Sequence, residues 1–170
     1  MQKPLPPVEL RVPTEEDAWN WHRVFDDPEV MEFHGGASAE LSAYEELTAR
    51  QRRHHAERGY CFYTIVDPTD DAVIGFAGAQ PWPRTEWGPV GEIEIGWRLG
   101  RKYWGRGYAT TVARRALEDV RAAGVRHVVA MVQAENARSI AVTRRLGMRQ
   151  AETFVSPVSK VTGLCHRLDL

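Results

Sequence analysis

Leu99-Gly100-Arg101-Lys102-Tyr103-Trp104-Gly105-Arg106-Gly107-Tyr108-Ala109 joins a strand to a helix through a turn rich in glycine and cations. Upstream, Val90 to Leu99 alternates like a strand, with Glu92 and Glu94 on one face and Ile93 and Ile95 on the other. Downstream, Ala109, Val112, Ala113, Ala116, Leu117 and Val120 recur at spacings of three and four, which predicts a helix from Tyr108 to about Ala123, closed by Gly124. A strand, a Gly-rich turn and a helix start place backbone N–H groups at the positive end of a helix dipole, an arrangement that suits an anion. Gly105 and Gly107 permit close backbone approach, and Arg101, Lys102 and Arg106 add charge at the rim. The turn lacks the G-x-x-x-x-G-K-[ST] pattern. Thr110 stands where G-x-G-x-x-G requires its third glycine, so two familiar nucleotide motifs are excluded.

The rest of the chain reads outward from this turn. Val8–Val12 is a predicted strand, Thr14 caps a helix running to about Phe25, and a turn or short helical segment follows Asp27-Pro28. Ser38 is the expected cap of a helix from Ala39 to Glu57 that ends at Gly59. Tyr60–Val66 and Ala72–Ala79 form a hairpin, and Gln80–Pro89, with three prolines and two tryptophans, is an expected loop. After the Tyr108 helix come a strand at His127–Val132, a helix over residues 137–146, and strands at Met148–Ser156 and Gly163–Leu170. The alternation predicts a mixed α/β (α+β) fold with helices on both faces of a central sheet. No repeat or linker divides it, so residues 1–170 are expected to form one domain.

Composition narrows the function classes. The chain has 170 residues, 43% of them apolar and 26% charged, which excludes a disordered or coiled-coil reading of the whole. The longest stretch without a charge, Ala72 to Pro83, is too short to span a membrane. Residues 1–7 have no apolar run before a small-residue cleavage site, so no signal peptide is expected. Cys61 and Cys165 lie in apolar runs without a C-x-x-C, the pattern of free thiols in the cytoplasm rather than of a metal or redox site. The net charge of −1 hides an asymmetry: residues 101–150 carry 11 Lys/Arg against 3 Asp/Glu, and the remaining 120 carry 11 against 20. A local basic block in an otherwise acidic chain points to a small phosphorylated ligand, not to nucleic acid or a membrane.

Gly91-Glu92-Ile93-Glu94-Ile95-Gly96-Trp97-Arg98-Leu99, followed by Tyr103-Trp104-Gly105-Arg106-Gly107-Tyr108-Ala109-Thr110, closely resembles the acetyl-CoA-binding motif of the GCN5-related N-acetyltransferases (GNAT), and looks most like their RimJ/RimL branch. Asn136-Ala137-Arg138-Ser139 through Leu146-Gly147-Met148 resembles that family's later N-x-x-S…L-G-F motif. The resemblance implies a mixed, mostly antiparallel sheet of about seven strands flanked by about four helices, with a splayed strand pair forming the CoA cleft. It further implies acetyl-CoA as donor, without a metal, and a small-molecule amine or a protein N-terminus as acceptor. Backbone of Trp97, Arg98 and Leu99 would hold the pantetheine arm. Lys102, Trp104, Gly105, Arg106, Gly107, Tyr108 and Ala109 would hold the pyrophosphate, with Thr110 adding a hydroxyl. Asn136 and Ser139 would line the pantetheine end, and Arg144 or Arg145 would reach the adenosine phosphate. Glu94 is the first candidate base and Glu92 the second; Ser139 is the candidate donor to the leaving thiolate. The sequence departs from the family at Lys102, where Gln or Arg is usual, and at Thr143, where many relatives place a tyrosine acid. Trp19, Trp21, Phe33, Trp82 and Trp87 are candidates for an aromatic acceptor pocket. A non-catalytic CoA-binding module and a donor such as succinyl-CoA are the alternatives, and family members often form homodimers.

Overall fold

The computed structural model describes Pro4 and residues 6–170; most of the segment read for a signal peptide lies outside them. The chain runs β1 (Glu9–Arg11), α1 (Asp17–Val24), α2 (Pro28–Met31), α3 (Leu41–Arg58), β2 (Phe62–Val66), β3 (Val73–Pro81), β4 (Ile93–Leu99), a 3-10 turn (Arg101–Tyr103), α4 (Tyr108–Ala122), β5 (His127–Gln133), α5 (Ala137–Arg145), β6 (Arg149–Val155) and β7 (Thr162–Asp169). Seven strands form one sheet in the order β1-β2-β3-β4-β5-β7-β6. Neighbours are antiparallel except β4 and β5, which run parallel and pair at a single position, Glu94 opposite Val129. Beyond that point the two strands diverge, so the sheet is split at its centre. This is the expected splayed pair. The helix beyond the expected four is α2, a single turn begun by Pro28 and capped by the Asp27 carboxylate, which accepts from the Glu29 N–H.

Period-two alternation on the strands sorts the core into two layers. Ile95, Val128 and Ala130 pack against Ala113, Ala116, Leu117 and Val120 of α4. Phe62 and Phe76 pack on the opposite face against Ala18, Trp21 and Phe25 of α1 and Tyr44 of α3. Trp21 is therefore core and Trp19, 59% exposed, is surface, which removes both from the candidate acceptor pocket.

Local signals in α1 and α3 resolve differently from the sequence reading. Neither Thr14 nor Ser38 caps a helix. Buried Asp17 instead accepts from the Thr14 N–H, Asn20, Thr64 and the Arg11 guanidinium, the last at 2.7 Å. Burial pushes its carboxyl up, but these donors together hold it below the usual range. The Ser38 hydroxyl donates to Asp26 across the α2 corner. Strand β3 runs through Gln80 and Pro81, two residues further than expected. Pro81 is tolerated there because it is the last residue of the strand, where a missing N–H costs the ladder little. Val90 and Gly91 belong to a turn, and β4 begins at Ile93.

Candidate active site

The turn after β4 is built around two glycines in the left-handed region, Gly105 at φ 72° and Gly107 at φ 88°, the latter at the N-terminus of α4. None of the backbone N–H groups of residues 105–110 donates to an acceptor among the described residues. Such a row of unpaired donors at a helix start suits a diphosphate. The charge at its rim is arranged differently from the expectation. Arg101 is ion-paired with Asp27 at 2.9 Å and Glu29 at 3.0 Å, tying the turn to α2. Arg138 lies over the Trp104 ring at 3.6 Å, a cation–π contact that places its charge beside the turn.

The divergence of β4 and β5 opens a cavity of about 750 Å³. It is lined by Trp97, Arg98, Leu99, Trp104, Gly105, Arg106, Gly107, Tyr108, Ala109, Thr110, Asn136 and Ser139, so the two separated motifs meet in one space. Two site candidates do not line the cavity: Glu94, described below, and Lys102, whose ammonium sits 5.1 Å from the Tyr103 ring. Across the split, the Trp97 indole donates to Ser139 Oγ at 3.2 Å. Asn136 caps α5 by accepting from the Ser139 N–H, which fixes the serine at the start of the helix. Arg145, not Arg144, lines the cavity. Phe33, a candidate for the acceptor pocket, lines it as well, and so do Val30, His34 and Arg114, which the sequence did not single out. The Gln133 amide donates to the Phe33 carbonyl at 3.0 Å, which draws the segment after α2 over the end of β5.

Glu94 stands where the split begins, on the face turned to α1–α3. A chain of amides reaches it from the backbone. The Phe62 N–H donates to Gln51 Oε1 at 2.9 Å, Gln51 Nε2 to Gln80 Oε1 at 2.7 Å, and Gln80 Nε2 to Glu94 Oε1 at 2.6 Å. The backbone donor at one end dictates the orientation of both amides, so an N–H is always presented to the carboxyl. Burial pushes the Glu94 carboxyl up to about 7, against the opposing pull of Gln80, Arg84 and Arg50. Glu92 is otherwise engaged, with His127 and, at 3.5 Å, with Arg167 at the far end of β5.

Comparison with known proteins places this geometry. The acetyltransferase (GNAT) domain family matches residues 8–149. The chain belongs to the GNAT acetyltransferase family. The uncharacterized protein YkkB of Bacillus subtilis (strain 168) is 30% identical over 136 residues, 77% of this chain and 74% of its own. YncA of Salmonella typhimurium, whose structure carries its cofactor acetyl-CoA, superposes with a TM-score of 0.72 at 16% identity, covering 96% of this chain and 94% of its own. A ribosomal-protein-alanine N-acetyltransferase from Brucella melitensis superposes with a TM-score of 0.73 at 21% identity, covering 95% of this chain and 99% of its own.

GNAT acetyltransferases use acetyl-CoA, and the row of free N–H groups at the turn and the cavity that opens beside it fit that ligand. Trp82 and Trp87, the other two acceptor-pocket candidates, fall outside the cleft. Trp82 and Trp87 meet edge to face and hold Arg84 over their rings at 5.5 and 5.2 Å; they brace the loop carrying the arginine whose charge acts on Glu94. Cys61 and Cys165 are free and buried, and burial pushes their thiols up to about 12 and about 11. Neither is suited to carry an acyl group. No cluster of His, Cys, Asp or Glu fit for a metal occurs among the described residues, and none of their helices is long and apolar enough to cross a membrane.

Proposed function

We propose that this GNAT acetyltransferase moves the acetyl group of acetyl-CoA to a primary amine by direct attack, with Glu94 as the base. The observation that carries this reading is a half-buried carboxyl, held by Gln80 at the start of the split between β4 and β5 and raised by burial. The donor's diphosphate lies on the N–H groups of residues 105–110, with Arg106 and Arg145 at the adenosine end. Its pantetheine arm follows the free edge of β4 along Trp97 to Leu99, toward Asn136 and Ser139. An ammonium acceptor loses a proton to Glu94, directly or through water, and the neutral nitrogen attacks the thioester carbon. A backbone N–H of β4 near Trp97 stabilises the oxyanion. Collapse breaks the C–S bond; the Ser139 hydroxyl donates a hydrogen bond to the departing thiolate, and the second proton shed by the attacking nitrogen neutralises it, so Ser139 ends the step as a hydroxyl. That hydroxyl accepts from the Trp97 indole, which leaves its own hydrogen free to turn toward the sulfur.

A RimJ/RimL-like acceptor, the α-amine of a protein N-terminus, is the preferred class. It is supported by the order and spacing of the two motifs and by the likeness in fold to the ribosomal-protein-alanine enzyme. Thiol release from acetyl-CoA, followed with and without an amine panel that includes short peptides, tests the reading. Release that needs an amine and falls at least about a hundredfold in Glu94→Gln supports it. CoA binding without amine-dependent turnover would instead mark a CoA-binding module.

A further inference from the structure

Arg98 follows Trp97 on β4, so its side chain lies on the face turned to α1–α3, the face that also carries Glu94. Its guanidinium is held between the Phe25 and Phe76 rings, 5.2 Å from each. Its Nε is buried without a hydrogen-bond partner, and among the described residues no carboxylate lies within ion-pair distance of the group. Acids on and around α1 and α2 are engaged elsewhere: Asp17 by Arg11, Asp26 by Ser38, and Asp27 and Glu29 by Arg101. The Tyr44 phenol is its polar neighbour. His34 also lines the cavity, and burial with the Arg98 charge beside it keeps that imidazole neutral, its pKa lowered to about 3. Two aromatic faces offset part of the cost of a cation withdrawn from water, but they accept none of its N–H groups. A fixed guanidinium with no carboxylate partner, on a residue that lines a ligand cavity, is suited to receive a planar anion.

We propose that Arg98, flanked by His34 and Tyr44, is a carboxylate subsite that reads an acidic group on one of the two reacting molecules. Two sources share this chemistry: an acceptor that carries a carboxylate as well as its amine, and a dicarboxylic acyl group on the donor. The inference rests on the acyltransferase reading and gives that site its specificity.

The test compares kcat/KM for matched pairs. One arm pairs amino acids with their decarboxylated amines, using acetyl-CoA. The other pairs succinyl-CoA with butyryl-CoA on one amine. The expected result is a preference of at least about tenfold for the carboxylate-bearing member in one arm. Arg98→Met should bring that ratio close to one, and Arg98→Lys should retain part of it. Ratios near one in both arms of the wild-type protein overturn the proposal without any variant. So does a ratio that survives in Arg98→Met, or a loss shared equally by both members of a pair. Calorimetric titration of CoA on the same samples separates the two levels: CoA binding with flat ratios refutes the subsite alone, and no CoA binding refutes the acyltransferase reading and the subsite together.

Discussion

Replacing Gln80 with Leu should shift the pH dependence of turnover. In the folded protein Gln80 Nε2 donates to Glu94 Oε1 at 2.6 Å and lowers a carboxyl that burial has raised to about 7. A hydrogen bond to a charged group is worth about 1.5–3 kcal/mol. Since one pKa unit corresponds to about 1.4 kcal/mol, losing the donor should raise the carboxyl by roughly one to two units. If Glu94 accepts the proton from the amine, the acid limb of kcat/KM should start near 7 in the wild type and move up by that amount in Gln80→Leu. Thiol release with an acceptor of low basicity is the suitable assay, because the amine's own titration then leaves the limb clear. Gln51 loses its acceptor in this variant, a cost of about 1–3 kcal/mol, so folding is checked by circular dichroism. Gln51→Leu should give a smaller shift, because Gln80 can still donate. A folded Gln80→Leu protein whose acid limb has not moved would refute Glu94 as the group that sets the limb.

Two further outcomes follow from the same geometry. Gly105→Ala adds a Cβ that meets nothing within 4 Å but holds a left-handed residue at φ 72°, so it should cost about 1–2 kcal/mol in denaturant unfolding and weaken CoA binding roughly tenfold or more. Glu94→Gln should gain stability over the wild type as pH rises. The folded carboxyl titrates at about 7 against an ordinary 4.5, so its burial costs nothing below 4.5 and its full amount above 7. The stability gap, read by urea unfolding, should grow across that window by about 3 kcal/mol and then stay level.

The turn and the position of Glu94 were legible because each has a strong local cause. A strand that alternates to Leu99, two glycines and an amphipathic helix leave one arrangement of N–H groups, and alternation alone puts Glu94 on the face away from Ile95. Gln80 was hidden by its neighbours: the prolines that follow it signal a loop, yet pairing with Glu94 carries β3 through Pro81. Gln51 reads as one more polar residue on a charged helix, and only the fold shows that it is fully buried. Arg98 was read only for its backbone, along the pantetheine arm. The place of its side chain between Phe25 and Phe76 depends on the end of α1 packing over β3, a contact between segments far apart in sequence. Arg101 reads as part of the phosphate rim until α2 brings Asp27 and Glu29 against it.

A thermal titration with acetyl-CoA, CoA and ATP at matched concentrations bears most directly on the central claim that the cleft between β4 and β5 is an acyl-CoA site. A ligand that binds only the folded chain adds about 2.7 kcal/mol at a hundredfold excess over its Kd, enough for a clear rise in Tm. Shifts with acetyl-CoA and CoA and little with ATP are expected. The absence of a shift with either CoA species would contradict the account.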